Sequence, residues 1–114
     1  MLDGTWEANF ILNTPKPFAE MYPKVKPSIT FNSLNGSING ITGCNNFSGG
    51  FTLDGNRIKF GDSFATTRKM CPDMTGEKTF LETLLKVNTY SITDQGKTLH
   101  LIMGDIAVMR LKKE

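Results

Sequence analysis

The feature that most limits the fold is a series of short apolar/polar alternations separated by turn dipeptides, the pattern of antiparallel strands joined by hairpins. In the first, Trp6, Ala8, Phe10 and Leu12 share one face and Glu7, Asn9 and Asn13 take the other. Ser28 to Ser33 and Ser37 to Thr42 follow, joined across Asn35-Gly36, which reads as a two-residue hairpin because both central positions would need positive φ. Phe51 to Leu53 and Arg57 to Phe60 turn on Asp54-Gly55-Asn56. Near the C-terminus Tyr90 to Thr93, Thr98 to Met103 and Ile106 to Leu111 turn on Gln95-Gly96 and Gly104-Asp105. About eight strands in so short a chain predict an open antiparallel barrel or a strongly curved meander sheet, since closure is how such a sheet limits its exposed edges.

One segment leaves the period of two. From Thr75 to Asn88 the apolar residues Phe80, Leu81, Leu84, Leu85 and Val87 fall on one stripe, with Glu77, Lys78, Glu82 and Lys86 outside it. This predicts one amphipathic helix, capped by Asp73 or Thr75 and supported by an i,i+4 pair of Glu82 with Lys86, covering the mouth of the barrel. The class is therefore mainly β, with one helix. At 114 residues, residues 1–114 make one domain. Trp6, on the apolar face of the first strand, is a core residue.

Charge narrows the partners. Thirteen basic against eleven acidic residues leave a net charge of +2, and the basic residues are dispersed, so no nucleic-acid partner is expected. No apolar run approaches the length of a membrane span. The chain opens abruptly on "LDGTWEANFIL", and the expectation is that a targeting segment precedes it in the native protein.

Few residues offer chemistry. The only histidine, His100, stands on the wetter face of a strand, and with two cysteines it does not complete a zinc set. Cys44 with His100 would be a nucleophile and base, but no local signature supports the pair. Asp54 lies at a hairpin tip and Glu77 and Glu82 on a polar helix face, so no acid–base pair emerges. The glycines of "GCNNFSGG" lie between strands and match neither a P-loop nor a dinucleotide fingerprint, and no cofactor is expected. Asn35-Gly36-Ser37 and Asn46-Phe47-Ser48 fit the glycosylation sequon, which matters only in a eukaryotic secretory setting. The stretch "TPKPFAEMYPKVKP" carries Phe18, Met21 and Tyr22 on a long loop. It is either a flap whose aromatics fold back on the sheet, the reading favoured here, or a partner-binding loop with these three residues as anchors.

The segments "LDGTW", "SINGITGCNNFSGGFTLDGNRIKF", "ATTRKMCP" and "EKTFLETLLKVNTYSI" together resemble the META domain family, the HslJ-like proteins. The motif residues are Gly43, Cys44, Asn45 and Gly49, followed by Thr-x-x-x-Cys and an amphipathic helix. The resemblance implies antiparallel strands wrapped around one helix, and a bacterial cell envelope location, periplasmic or as an outer-membrane lipoprotein held only through a lipid anchor. It brings a link to stress or antibiotic tolerance, and no enzymatic activity or agreed ligand. The proline-rich segment departs from the family pattern. In an oxidising compartment Cys44 and Cys71 are expected to form a structural disulfide, stapling the start of the helix to the sheet. Two buried thiols in a reducing compartment, or a reactive Cys44, are the other outcomes. The leading expectation is a non-enzymatic binding or structural module with an unidentified protein partner. The alternative is a carrier of a small apolar ligand or lipid held between helix and barrel, and a hydrolase using Cys44 ranks last.

Overall fold

The computed structural model describes residues 2–114. Its elements are β1 (Gly4–Ile11), α1 (Phe18–Met21), β2 (Ser28–Asn32), β3 (Ser37–Ile41), β4 (Asn46–Asp54), β5 (Arg57–Phe60), β6 (Ala65–Thr66), α2 (Thr75–Lys86), β7 (Thr89–Thr93), β8 (Thr98–Met103) and β9 (Ile106–Lys113). All strand pairings are antiparallel. The nine strands form one sheet in the order β3-β2-β1-β9-β8-β7-β5-β4-β6, and a further β3–β4 pairing bends it into a ring.

The ring is not a regular barrel. β4 joins two neighbours end to end: Asn46 to Gly50 pair with β3, and Phe51 to Asp54 pair with β5. Opposite, β5 meets β7 at the single position Arg57↔Thr89. Two backbone bonds support that seam, Ile58 N–H to the Asn88 carbonyl (3.1 Å) and Tyr90 N–H to the Asn56 carbonyl (3.0 Å). α2 packs beside the seam, with Phe80 and Leu84 wholly buried. Trp6 is also fully buried, as its place in the alternation predicts, and its indole N–H donates to the Leu2 carbonyl at 2.7 Å.

The class, mainly β with an amphipathic helix, is the expected one, and the differences are local. Nine strands replace eight because β6 has only two residues, too few for any period to show. β4 begins at Asn46, five residues before the expected Phe51, so Gly49 lies in a strand and not in a turn. A Cβ on Gly49 would stand 2.7 Å from the Phe64 ring, so the missing side chain serves a close approach. The connection from β2 to β3 spans Ser33 to Gly36, because Asn32 pairs with Ser37. Only Gly36 has positive φ there, while Asn35 accepts the Ser37 N–H through its side chain in an Asx turn.

In β1 the alternation breaks. A bulge between Ala8 and Phe10, where the register against β9 shifts, turns Ile11 into the core and leaves Phe10 half-buried under the Arg110 guanidinium, 5.4 Å from its ring centre. α2 ends at Lys86, with Met74 and not Asp73 or Thr75 at the N-cap position. Its buried face is Gly76, Phe80, Thr83 and Leu84, continued by Val87, while Leu85 is exposed. Glu82 and Lys86 are not within ion-pair distance; among the described residues the ion pair is Lys16 with Asp73 at 3.1 Å.

Candidate functional site

The turn from β3 to β4, Thr42 to Asn45, reverses the chain on Gly43, whose φ is +100°. Thr42 is wholly buried, and its hydroxyl accepts the N–H groups of Cys44 (3.2 Å) and Asn45 (2.9 Å) while donating to Glu77 Oε1 at 2.7 Å. Asn45, 3% exposed, fills its whole hydrogen-bonding capacity. Its amide nitrogen donates to the Lys69 carbonyl (3.0 Å) and to Glu77 Oε1 (2.9 Å). Its oxygen accepts the Thr67 hydroxyl (2.8 Å) and the Lys69 N–H (2.8 Å). One side chain thus ties three pieces of chain together: the turn, the segment after β6 and the first turn of α2. A buried polar group fully paired in this way specifies one geometry, since each unpaired partner would cost about 1 to 3 kcal/mol.

Two of these pieces, the turn and the segment between β6 and α2, are also bonded covalently. Cys44 and Cys71 form a disulfide across 27 residues, with Cα atoms 6.1 Å apart. A loop of that length is stabilised by about 3.5 kcal/mol in the chain-entropy account.

The proline-rich segment supplies the other wall. One turn of helix, α1, turns Met21 and Tyr22 inward, and Phe18 packs against Tyr22 with ring centres 5.0 Å apart. The Tyr22 ring lies in a slot between two glycines: a Cβ on Gly43 or on Gly76 would stand 2.8 Å from it. Its hydroxyl donates to the Gly76 carbonyl at 2.7 Å, and burial pushes the phenol far above its ordinary range. Met21 and Tyr22 are therefore packing residues, with Phe18 half-buried beside them, and the parts of this segment facing solvent are Pro15 to Pro17, Ala19, Glu20 and Pro23 to Lys26.

Between that segment, the turn and the disulfide lies a groove of about 520 Å³, walled by Val25, Ile41, Met70 and Pro72 with Lys24, Lys69, Asp73 and Glu77. Val25, Ile41 and Met70 are exposed, Met70 at 82%. A second hollow of about 530 Å³ runs between the β4–β5 hairpin and the end of α2, lined by Leu53, Ile58, Leu85 and Val87. The space between α2 and the sheet, where a carrier would keep an apolar cargo, holds the rings of Phe47 and Phe80, 5.4 Å apart, and Leu84.

The candidate pair Cys44 and His100 is not assembled. Cys44 is oxidised, and His100 lies on β8, with its Nε2 3.0 Å from the Thr93 hydroxyl. Among the described residues no three His, Cys, Asp or Glu side chains cluster as a metal site, and no helix is long and apolar enough to cross a membrane. Glu77, Thr42, Thr67 and Gly76 are the residues that sequence reasoning missed. Glu77 was legible: with Phe80, Leu84 and Val87 it follows the i, i+3, i+7, i+10 spacing of the buried stripe, so helical period places it at the inner face despite its charge.

Comparison with known proteins agrees with this architecture. No curated protein matches the chain. Among solved structures, an NMR structure of a protein from Burkholderia xenovorans superposes with a TM-score of 0.74 at 18% identity, covering 99% of this chain and 83% of that one. The crystal structure of a DUF4847 family protein from Bacteroides vulgatus gives 0.69 at 17% identity, covering 99% and 94%. A further NMR structure gives 0.67 at 21% identity, covering 99% and 91%. At such identities the likeness concerns the fold. The META domain model matches residues 1–114, the whole chain including the Gly43-Cys44-Asn45 turn, and the protein belongs to the META domain family.

Proposed function

We propose that this META domain is a non-enzymatic binding or structural module of a bacterial cell envelope, linked to stress or antibiotic tolerance, with the groove beside the disulfide as its contact face. The observation that carries the reading is how the family-motif residues are committed. Gly43 makes room for Tyr22, Cys44 is bonded to Cys71, and the side-chain nitrogen and oxygen of Asn45 are each paired twice within the protein. Residues so occupied build a surface and do not turn over a substrate. A disulfide in a small domain suits an oxidising compartment, and exposed apolar side chains gathered at one groove suit contact with another molecule. The carrier reading ranks second because the space under α2 is already filled by Phe47, Phe80 and Leu84. Native mass spectrometry of protein taken from its host tests it, since a retained apolar ligand would reverse that ranking.

The leading reading is tested in a deletion strain complemented with the wild-type gene or with Val25→Asp/Met70→Asp. Both side chains are exposed and outside the Asn45 network, so the variant should melt like the wild type. Stress survival should return with the wild-type chain only, and fractionation should recover that chain from the envelope. Equal rescue by both genes would remove the groove from the function; recovery from the cytoplasm alone would remove the envelope.

A further inference from the structure

Sulfur is concentrated at this groove beyond what a staple requires. The stretch Met70-Cys71-Pro72-Asp73-Met74 sets a methionine on either side of Cys71 in the sequence. Met74 places its Sδ 3.9 Å from Cys44 Sγ. We propose that, once a dithiol reductant has opened the Cys44–Cys71 bridge, the two thiolates and the Met74 thioether form a three-sulfur site for monovalent copper.

Three sulfurs in trigonal array around a metal, at bonds of about 2.3 Å, stand about 4 Å from one another. Cys44 and Met74 already have that spacing. The Cys71 sulfur must move away from Cys44 to reach it, and Cys71 sits between β6 and α2, outside any helix or strand, with its Cα 6.1 Å from that of Cys44. Thiolate and thioether donors select a soft cation. Two of the groove's three carboxylates are engaged elsewhere, Glu77 accepting from Thr42 and Asn45 and Asp73 from Thr75 and Lys16, and the third, Glu20, is a hard oxygen donor on α1 that a soft cation does not favour. Two thiolates with one Cu(I) carry one net negative charge, and the groove wall holds Lys24 and Lys69 beside Glu20, Asp73 and Glu77.

The chemistry balances. A dithiol passes two electrons and two protons to the bridge through a mixed disulfide and leaves as its own disulfide, giving two thiols on this chain. Binding Cu(I) then releases those two protons to solvent as two copper–sulfur bonds form, and Met74 donates a lone pair without proton loss.

The test uses protein reduced anaerobically, desalted, and titrated against the coloured Cu(I) complex of bicinchoninate. The reduced chain should take one equivalent of Cu(I) and the oxidised chain none, and X-ray absorption should show three sulfur neighbours. Met74→Leu conserves volume and should leave the oxidised protein's melting temperature unchanged, yet weaken Cu(I) binding on the order of tenfold, while Met70→Leu should not. Failure of the reduced chain to take Cu(I) from bicinchoninate overturns the proposal. Equal affinity in Met74→Leu also overturns it, because a dithiol alone, folded or unfolded, then accounts for the binding.

Discussion

Asn45 shows how much of this fold rests on one polar side chain, and its surroundings make the cost of changing it predictable. Asn45→Ala strands the Thr67 hydroxyl and the Lys69 N–H and carbonyl, and urea unfolding should find a loss of about 2 to 4 kcal/mol. Asn45→Asp keeps the acceptor but sets a second carboxylate where the amide now lies 2.9 Å from Glu77 Oε1. It should cost at least as much, and adding Glu77→Gln, which restores a donor between the two, should recover about 1 to 2 kcal/mol. An additive double mutant would show that the contact does not form. Asp73 offers the matching test in acid. Hydrogen bonds from the Thr75 side chain and backbone, with Lys16 nearby, lower its carboxyl from 3.8 to about 2. A depressed carboxyl contributes stability above its unfolded value and loses it as pH falls through its folded value, so this contribution should fade between pH 3.8 and about 2. An NMR titration should place the Asp73 midpoint near the lower end of that window, and Lys16→Ala should raise it; a midpoint at the ordinary carboxylate value would show that the Thr75 bonds are not made. The sequence pointed to this region through Gly-Cys-Asn. It could not say that Asn45 is a clamp, because three of its four bonds go to residues 22 to 24 positions away and the fourth to Glu77, 32 away.

At the level of elements, what could be read was whatever repeats locally. β5 and β8 have the expected bounds, and α2 was found from its stripe. What escaped is set by contacts between elements: the β1 bulge fixed by β9, the early start of β4 fixed by β3 and β6, and the inward turn of α1 fixed by two glycines. Gly76 is the sharpest case. Helix propensity alone says that Gly76→Ala stabilises by about 0.5 to 1 kcal/mol. The structure reverses the sign, because the new Cβ would lie 2.8 Å from the Tyr22 ring and 3.0 Å from the Met21 carbonyl oxygen, a backbone atom with little freedom to move. Gly76→Ala should destabilise by about 1 to 3 kcal/mol in denaturant. A stabilising effect would mean that Tyr22 does not occupy the slot.

Across the whole molecule, the ring has one strong arc and one weak seam. From β2 through β1, β9 and β8 to β7 the strands pair over four or more positions each, and the wholly buried Leu99, Leu101 and Leu111 pack there beside Trp6. β5 and β7 share a single ladder position, and the chain crosses that gap by way of α2. Hairpin counting predicted an open barrel or a strongly curved sheet but could not locate the seam, since turn dipeptides join sequential strands and β5 and β7 are separated by β6 and the helix. Local opening follows the place where few hydrogen bonds and little buried area hold the backbone. The amides of Ile58 and Tyr90, which bridge the seam to Asn88 and Asn56, should therefore exchange with solvent well before those of Leu99 and Leu101, whose exchange should require global unfolding. β5 lies within the loop that the disulfide closes, but opening the seam parts β5 from β7 while β3, β6 and the Asn45 bonds still hold both ends of that loop, so reducing the disulfide should speed all globally exchanging amides by one common factor and change Ile58 and Tyr90 far less. Equal protection of seam and arc in the oxidised protein would show instead that α2 locks the ring into one cooperative unit.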